Sequence, residues 1–159
     1  MPSSDLSKFL RMSWQDRLLL LEAGISMVLT ALAIRVLPFR VLGRLAARQI
    51  HRPAPPSDAR ISKLNRIRWA IGVCARRMPW ALCFQQGLAA QLMLRRRGIG
   101  STLYYGAAPN QQQGLSAHVW VRDGDIDVVG GEIASAYAVL ATFPPTGSNE
   151  ISGASTPVP

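Results

Sequence analysis

The sequence predicts an α+β fold, with helices first and then a central helix packed on a small antiparallel sheet. Three observations predict it. Apolar residues recur at helical spacing up to Leu94 and alternate like strands after Gly98. Prolines at 38, 53, 55, 56 and 79 cut the front part into helix-length pieces. At 159 residues, 48% hydrophobic and 17% charged, the chain is one ordinary domain that can bury a core and is too apolar for wholesale disorder.

The first helix is expected over about residues 14–37. Ser13-Trp14-Gln15-Asp16 forms its capping box, and Pro38 ends it. Asp5 and Asp16 flank the early basic residues, and no small-residue cleavage site follows the apolar run, which argues against a signal peptide. The uninterrupted apolar stretch 23–34 falls short of the roughly 20 residues of a clean membrane span. This helix is expected to pack on its own domain or a partner, with peripheral membrane contact as a second reading. A second helix, about 39–49, carries Arg40, Arg44 and Arg48 as one solvated stripe.

Residues 51–59, proline-rich and closing on a Ser57-Asp58 helix start, are the linker between an N-terminal helical region (1–50) and the core (60–145). His51 sits at its edge, with no expected role. A third helix, about 59–78, buries Ile61, Leu64, Ile67, Ile71 and Cys74 on one face, so Cys74 is expected to be an inert core thiol. After Pro79 a short irregular connection leads to Cys83. The following helix is apolar nearly all round and closes with Arg95-Arg96-Arg97-Gly98. Strands follow at about 101–106, 117–122 and 125–129, with a polar loop at 107–115 and a turn at Asp123-Gly124. The tail from Thr146 is expected to be disordered.

Two cysteines (Cys74, Cys83) and two histidines (His51, His118) exclude much. No pair has zinc-ligand spacing, and two cysteines make no disulfide scaffold. No metal and no cofactor is expected, and the setting is a reducing cytoplasm. Charge is lopsided: residues 1–97 hold 17 of the 18 Lys and Arg against four acids, while residues 98–159 hold one against five. Helix faces account for such a surplus, as does an anionic partner.

With Asp123-Gly124 as a two-residue turn, Trp120 faces Asp127 and His118 faces Val129. Val119, Val121, Ile126 and Val128 then line an apolar face, and His118, Trp120, Asp125, Asp127 and Val129 line the other. His118 and Asp127 become diagonal neighbours. Cys83 opens a buried helix, where free N–H groups and the dipole favour thiolate. A histidine on a following strand can serve as its base, and a carboxylate one strand further can orient the imidazole. Cys83, His118 and Asp127 are therefore the candidate triad. The backbone N–H of Cys83 is the natural oxyanion donor.

Pro79-Trp80-x-x-Cys83-x-x-Gln86-x-Leu88-Ala89, Leu94-Arg95-Arg96-Arg97-Gly98-Ile99, Leu103-x-x-Gly106 and Ala117-His118-Val119-Trp120-Val121 resemble the leader peptidase of lasso-peptide biosynthesis, the transglutaminase-like half of the B protein. Trp14-x-Asp16-Arg17-x-Leu19-Leu20-x-Glu22-Ala23 and Leu37-Pro38-Phe39-Arg40 are similar to its N-terminal helices, so the resemblance covers about residues 10–135. It implies a transglutaminase-like or papain-like core in which Cys83 attacks the last leader carbonyl and His118 is base and acid. The family's histidine-to-acid spacing is often longer than nine residues, which keeps Glu132 as a substitute for Asp127 and Asp125 as a weaker one. Trp80 and Trp120 are candidates to line the cleft. Nothing before residue 10 matches a leader-recognition domain. The resemblance therefore implies the split arrangement: a precursor peptide, a separate recognition protein and an asparagine-synthetase-like cyclase as partners.

Two other readings stand beside it. The same site would serve acyl transfer or amidase chemistry. The basic front half would serve as a non-enzymatic module on membrane or nucleic acid, although no nucleic-acid-binding signature accompanies the arginines.

Overall fold

The computed structural model describes residues 11–47, 57–110 and 114–145. His51, Arg48, most of the expected linker and the tail from Thr146 lie outside them. Among the described residues helices come first, α1 (Trp14–Val36), α2 (Phe39–Ala47), α3 (Asp58–Arg77) and α4 (Cys83–Arg95). Strands β1 (Thr102–Asn110), β2 (Gly114–Asp123) and β3 (Ile126–Val129) follow, then a 3-10 helix (Gly131–Ala136) and β4 (Ala138–Phe143). The sheet is antiparallel in the order β3-β2-β1-β4, so the α+β prediction holds.

Helix starts follow from their caps. The Ser13 side chain accepts the Asp16 N–H, and Ser57 accepts the Arg60 N–H, each satisfying a donor that the helix leaves free. Gly98, at φ +66°, terminates α4 while the Ile99 N–H returns to the Leu94 carbonyl. One core unites α1 (Leu19, Ala23, Met27), α3 (Leu64, Ile67, Ile71, Cys74), α4 (Ala89, Ala90, Met93, Leu94) and one sheet face (Leu103, Val119, Val121, Val128). α1 is long and apolar enough to cross a membrane by length and composition, yet its inner side belongs to this core.

Gly87 sets the crossing of α4 over the sheet: a Cβ there would lie 2.8 Å from Val119 Cγ1. One turn and more further on, the Gln91 amide donates to the Phe143 carbonyl at 2.9 Å and the Ser101 carbonyl at 3.4 Å. α4 therefore runs toward the Ser101/Phe143 end of the sheet, and its first residue, Cys83, lies at the opposite end.

Several expectations need correction. The loop expected at 107–115 is mostly strand, with β1 reaching Asn110 and β2 starting at Gly114. β4 was not expected, and its run of apolar residues lacks alternation because it is an exposed edge. The β2–β3 register also differs. Asp123 pairs Ile126 across a Gly124-Asp125 turn, Arg122 pairs Asp127, and a bulge then sets Val129 opposite Val121. Gly124 takes φ +58°, which glycine adopts without strain. This register keeps Val128 and Val129 buried and carries Asp123 inward, where it accepts both the Nε and a terminal nitrogen of Arg60 at 2.6 Å.

Basic residues do more than face solvent. Arg66 reaches Asp16, Arg97 reaches Glu22, and Arg68 donates to the Asp127 and Val128 carbonyls. Together with Arg60 they tie α3 and α4 to α1 and to the hairpin.

Candidate active site

The connection into α4 is a tight turn in which the Ala81 N–H returns to the Met78 carbonyl at 2.8 Å. The Gln86 side-chain amide reaches back to the Ala81 carbonyl at 2.7 Å and holds this turn against the helix. The first helical bond runs from the Gln86 N–H to the Leu82 carbonyl. The N–H groups of Cys83, Phe84 and Gln85 thus precede the ladder, as at any helix start, and the Cys83 N–H is available to an oxyanion. Cys83 is a free, half-buried thiol packed against the edge of the core. Trp80 and Leu82 flank it, 47% and 64% exposed, which makes this mouth apolar.

Cys74 contrasts with it. Its thiol is buried in the core and donates to the Leu20 carbonyl at 3.5 Å. Burial pushes it above its ordinary range, with Arg77 opposing. That is the core position expected from the α3 stripe.

His118 lies in β2 opposite Gly106. Pairing puts Leu103, Tyr105, Val119 and Val121 on the face that α4 covers, and Tyr104, His118, Trp120 and Arg122 on the other. On that second face a ladder forms. Arg122 lies over Tyr104 at 5.9 Å, Tyr104 stacks on Trp120 at 5.4 Å, and Trp120 on His118 at 6.0 Å. Tyr137 closes the ladder 5.1 Å from the imidazole. Two glycines make room for it. A Cβ on Gly106 would lie 2.9 Å from the Trp120 ring, and one on Gly130 (φ +74°) would lie 2.6 Å from the Val119 carbonyl oxygen.

The polar partner of the ring is the Gly130 carbonyl, 2.8 Å from Nε2. A carbonyl only accepts, so Nε2 carries the proton and, in the neutral ring, Nδ1 holds the lone pair. Among the described residues no hydrogen bond joins His118 to Cys83. The β1–β2 pairing sets His118 on the sheet face away from the one α4 covers.

The carboxylates fall elsewhere. Asp127 shares the His118 face, but the register places it opposite Arg122, whose Nε it accepts at 2.6 Å, and its side chain lies against Gly131. The expected facing of Trp120 with Asp127 and of His118 with Val129 does not occur. Glu132 is exposed in the first turn of the 3-10 helix, and Asp125 is exposed in the hairpin turn. Sequence reasoning missed Gly130 altogether, since a backbone carbonyl has no signature of its own. The one signal was the Gly130-Gly131 pair.

A family profile described as the transglutaminase-like superfamily matches residues 26–142. The chain belongs to the transglutaminase-like superfamily. Searches of curated proteins and of solved structures give no significant match. The match runs from the middle of α1 to β4 and thus takes in both Cys83 and His118. A helix-opening cysteine and a histidine on a following antiparallel strand are the sequence features that pointed to this fold. The superfamily supports cysteine-protease or acyl-transfer chemistry as the class of reaction.

Proposed function

We propose that this transglutaminase-like chain is a cysteine endopeptidase that removes the leader from a ribosomally made lasso-peptide precursor. Cys83 is its nucleophile, and His118 its base and acid. The observation that carries the site is the 2.8 Å bond from His118 Nε2–H to the Gly130 carbonyl, which leaves Nδ1 as the basic nitrogen. The resemblance of the Cys83 and His118 motifs to the leader peptidases supports the substrate class.

In the first step His118 takes the thiol proton and Cys83 Sγ attacks the carbonyl carbon of the last leader residue. The oxyanion is held by the Cys83 N–H. Collapse breaks the C–N bond, His118 returns the proton to the departing amine, and a thioester remains. Water then attacks with His118 taking its proton. The C–S bond breaks, releasing the leader carboxylate and restoring the thiol. Asp127 acts at one remove: paired with Arg122 and packed on Gly131, it steadies the turn that presents the Gly130 carbonyl. Glu132 is the other carboxylate close to that turn in sequence, and Asp127→Asn and Glu132→Gln separate the two. A separate recognition protein delivers the leader, and an asparagine-synthetase-like cyclase closes the ring on the freed amine.

The test is cleavage of a precursor peptide in the presence of its recognition protein. Cys83→Ala and His118→Ala each abolish cleavage while melting like the parent, and Cys74→Ala stays active. An active Cys83→Ala with a dead Cys74→Ala refutes the assignment. Product mass separates hydrolysis, which adds water, from transfer, which adds an amine.

A further inference from the structure

α1 is apolar on two sides, and the core uses only one. Leu19, Ala23 and Met27 point inward at 7%, 0% and 0% exposure. On the opposite side stand Trp14 (69%), Leu21 (59%), Ile25 (50%), Leu32 (55%) and Val36 (76%), among others. At helical spacing these fall within a sector of about 100°, and over 23 residues they make a ridge about 33 Å long. No charged side chain interrupts it. A continuous apolar strip of this length marks an interaction surface rather than ordinary solvent exposure.

Charge around the ridge is one-sided. The carboxylates beside it are already neutralised from within, Asp16 by Arg66 at 2.8 Å and Glu22 by Arg97 at 2.6 Å. At the far end Arg35, Arg40 and Arg44 are exposed and form no ion pair among the described residues. A second copy of the chain would set these arginines against a ridge that offers no free carboxylate in return. An occupant must supply hydrocarbon along the ridge and negative charge at its end.

We propose that the outer ridge of α1 docks in the plane of an anionic phospholipid bilayer, with Arg35, Arg40 and Arg44 on the headgroup phosphates. The helix cannot span the bilayer without taking Ala23 and Met27 out of the core, so it lies flat, its apolar side in the acyl boundary. This surface is independent of the chemistry at Cys83.

Flotation of the full chain tests it, using phosphatidylcholine vesicles with and without about one third phosphatidylglycerol. The protein should float with the anionic vesicles at low salt, and lose binding as salt rises from about 0.05 to 0.5 M. Changing the three arginines to glutamine should weaken binding by about five-fold each, roughly 100-fold together. Ile25→Asp with Leu32→Asp should abolish flotation and leave the melting temperature near that of the parent, because both side chains are half exposed. The proposal is overturned if the parent does not float with anionic vesicles at low salt, or if the double aspartate variant floats as well as the parent. It is equally overturned if light scattering finds a dimer that the same variant splits and that ignores vesicles.

Discussion

Gly130→Ala tests the turn that holds the imidazole. At φ +74° an alanine pays about 1–2 kcal/mol for the left-handed conformation. Its Cβ would also meet the Val119 carbonyl oxygen at 2.6 Å and His118 Nε2 at 3.2 Å, so the turn must move. Losing the Nε2–Gly130 bond costs a further ~1 kcal/mol, for about 2–3 kcal/mol of stability in all. The larger effect falls on chemistry, where a displacement of about 1 Å at a catalytic group costs on the order of 100-fold in rate. Gly124→Ala is the control. At φ +58° it carries the same left-handed strain, but its Cβ meets nothing within 4 Å. Urea denaturation and peptide cleavage, run on both variants, should show Gly124→Ala losing about 1–2 kcal/mol with full activity. Gly130→Ala should lose both. Equal activity in the two variants refutes the role given to Gly130, and so does an Nδ1–H tautomer of His118 in long-range 1H–15N correlation spectra of the parent.

Three further outcomes follow from the packing. Asp123→Asn should cost about 3–5 kcal/mol in urea, because it strands Arg60 in a pair whose side chains are only 4% and 13% exposed. A combined Arg60→Met and Asp123→Leu variant should recover most of that, and a cost below about 1 kcal/mol for Asp123→Asn contradicts the pairing. Gly87→Ala gains up to about 1 kcal/mol of helix propensity but meets Val119 Cγ1 at 2.8 Å, so overpacking of about 1–3 kcal/mol should leave it destabilised unless Val119→Ala accompanies it. A stabilised single variant would show that α4 does not cross the sheet at Gly87. The hydrogen bond from Arg97 holds the Glu22 carboxyl below its ordinary 4.5, with burial opposing. Its stabilisation is therefore present above that value and is lost as pH falls through the lower, folded one. Glu22→Gln should flatten the acid limb of stability against pH in that window, and an unchanged limb contradicts the assignment.

What the sequence made legible is what local chemistry decides. Ser13 and Ser57 as caps, Gly98 as the end of α4, the buried stripe from Leu64 to Cys74 and the apolar side of the hairpin all follow from residue type and spacing, whereas Ile61, expected in that stripe, is exposed. The hairpin register did not, because Asp123-Gly124 and Gly124-Asp125 both satisfy turn chemistry. The choice rests on a buried contact to Arg60, 63 residues away. The Gly124-Asp125 turn takes Asp127 from His118 and gives it to Arg122, and the bulge follows beyond this pair. β4 was missed because an exposed edge of mixed small and apolar residues has no period-two pattern. The partner of His118 was missed because a carbonyl in a glycine turn looks like any other turn. Cys83 at a helix start and His118 on a following strand were legible, each in the element expected of it. Their third partner was not.

The central claim is that Cys83 is a reactive thiol served by His118. Alkylation of the native protein with iodoacetamide, mapped by peptide mass spectrometry in the parent and in His118→Ala, tests it most directly. Cys83 should label far faster than Cys74, whose thiol is buried and held up by that burial, and the His118→Ala variant should slow labelling at Cys83 alone. Labelling of Cys74 at an equal or greater rate, or a Cys83 rate indifferent to His118, would contradict the account.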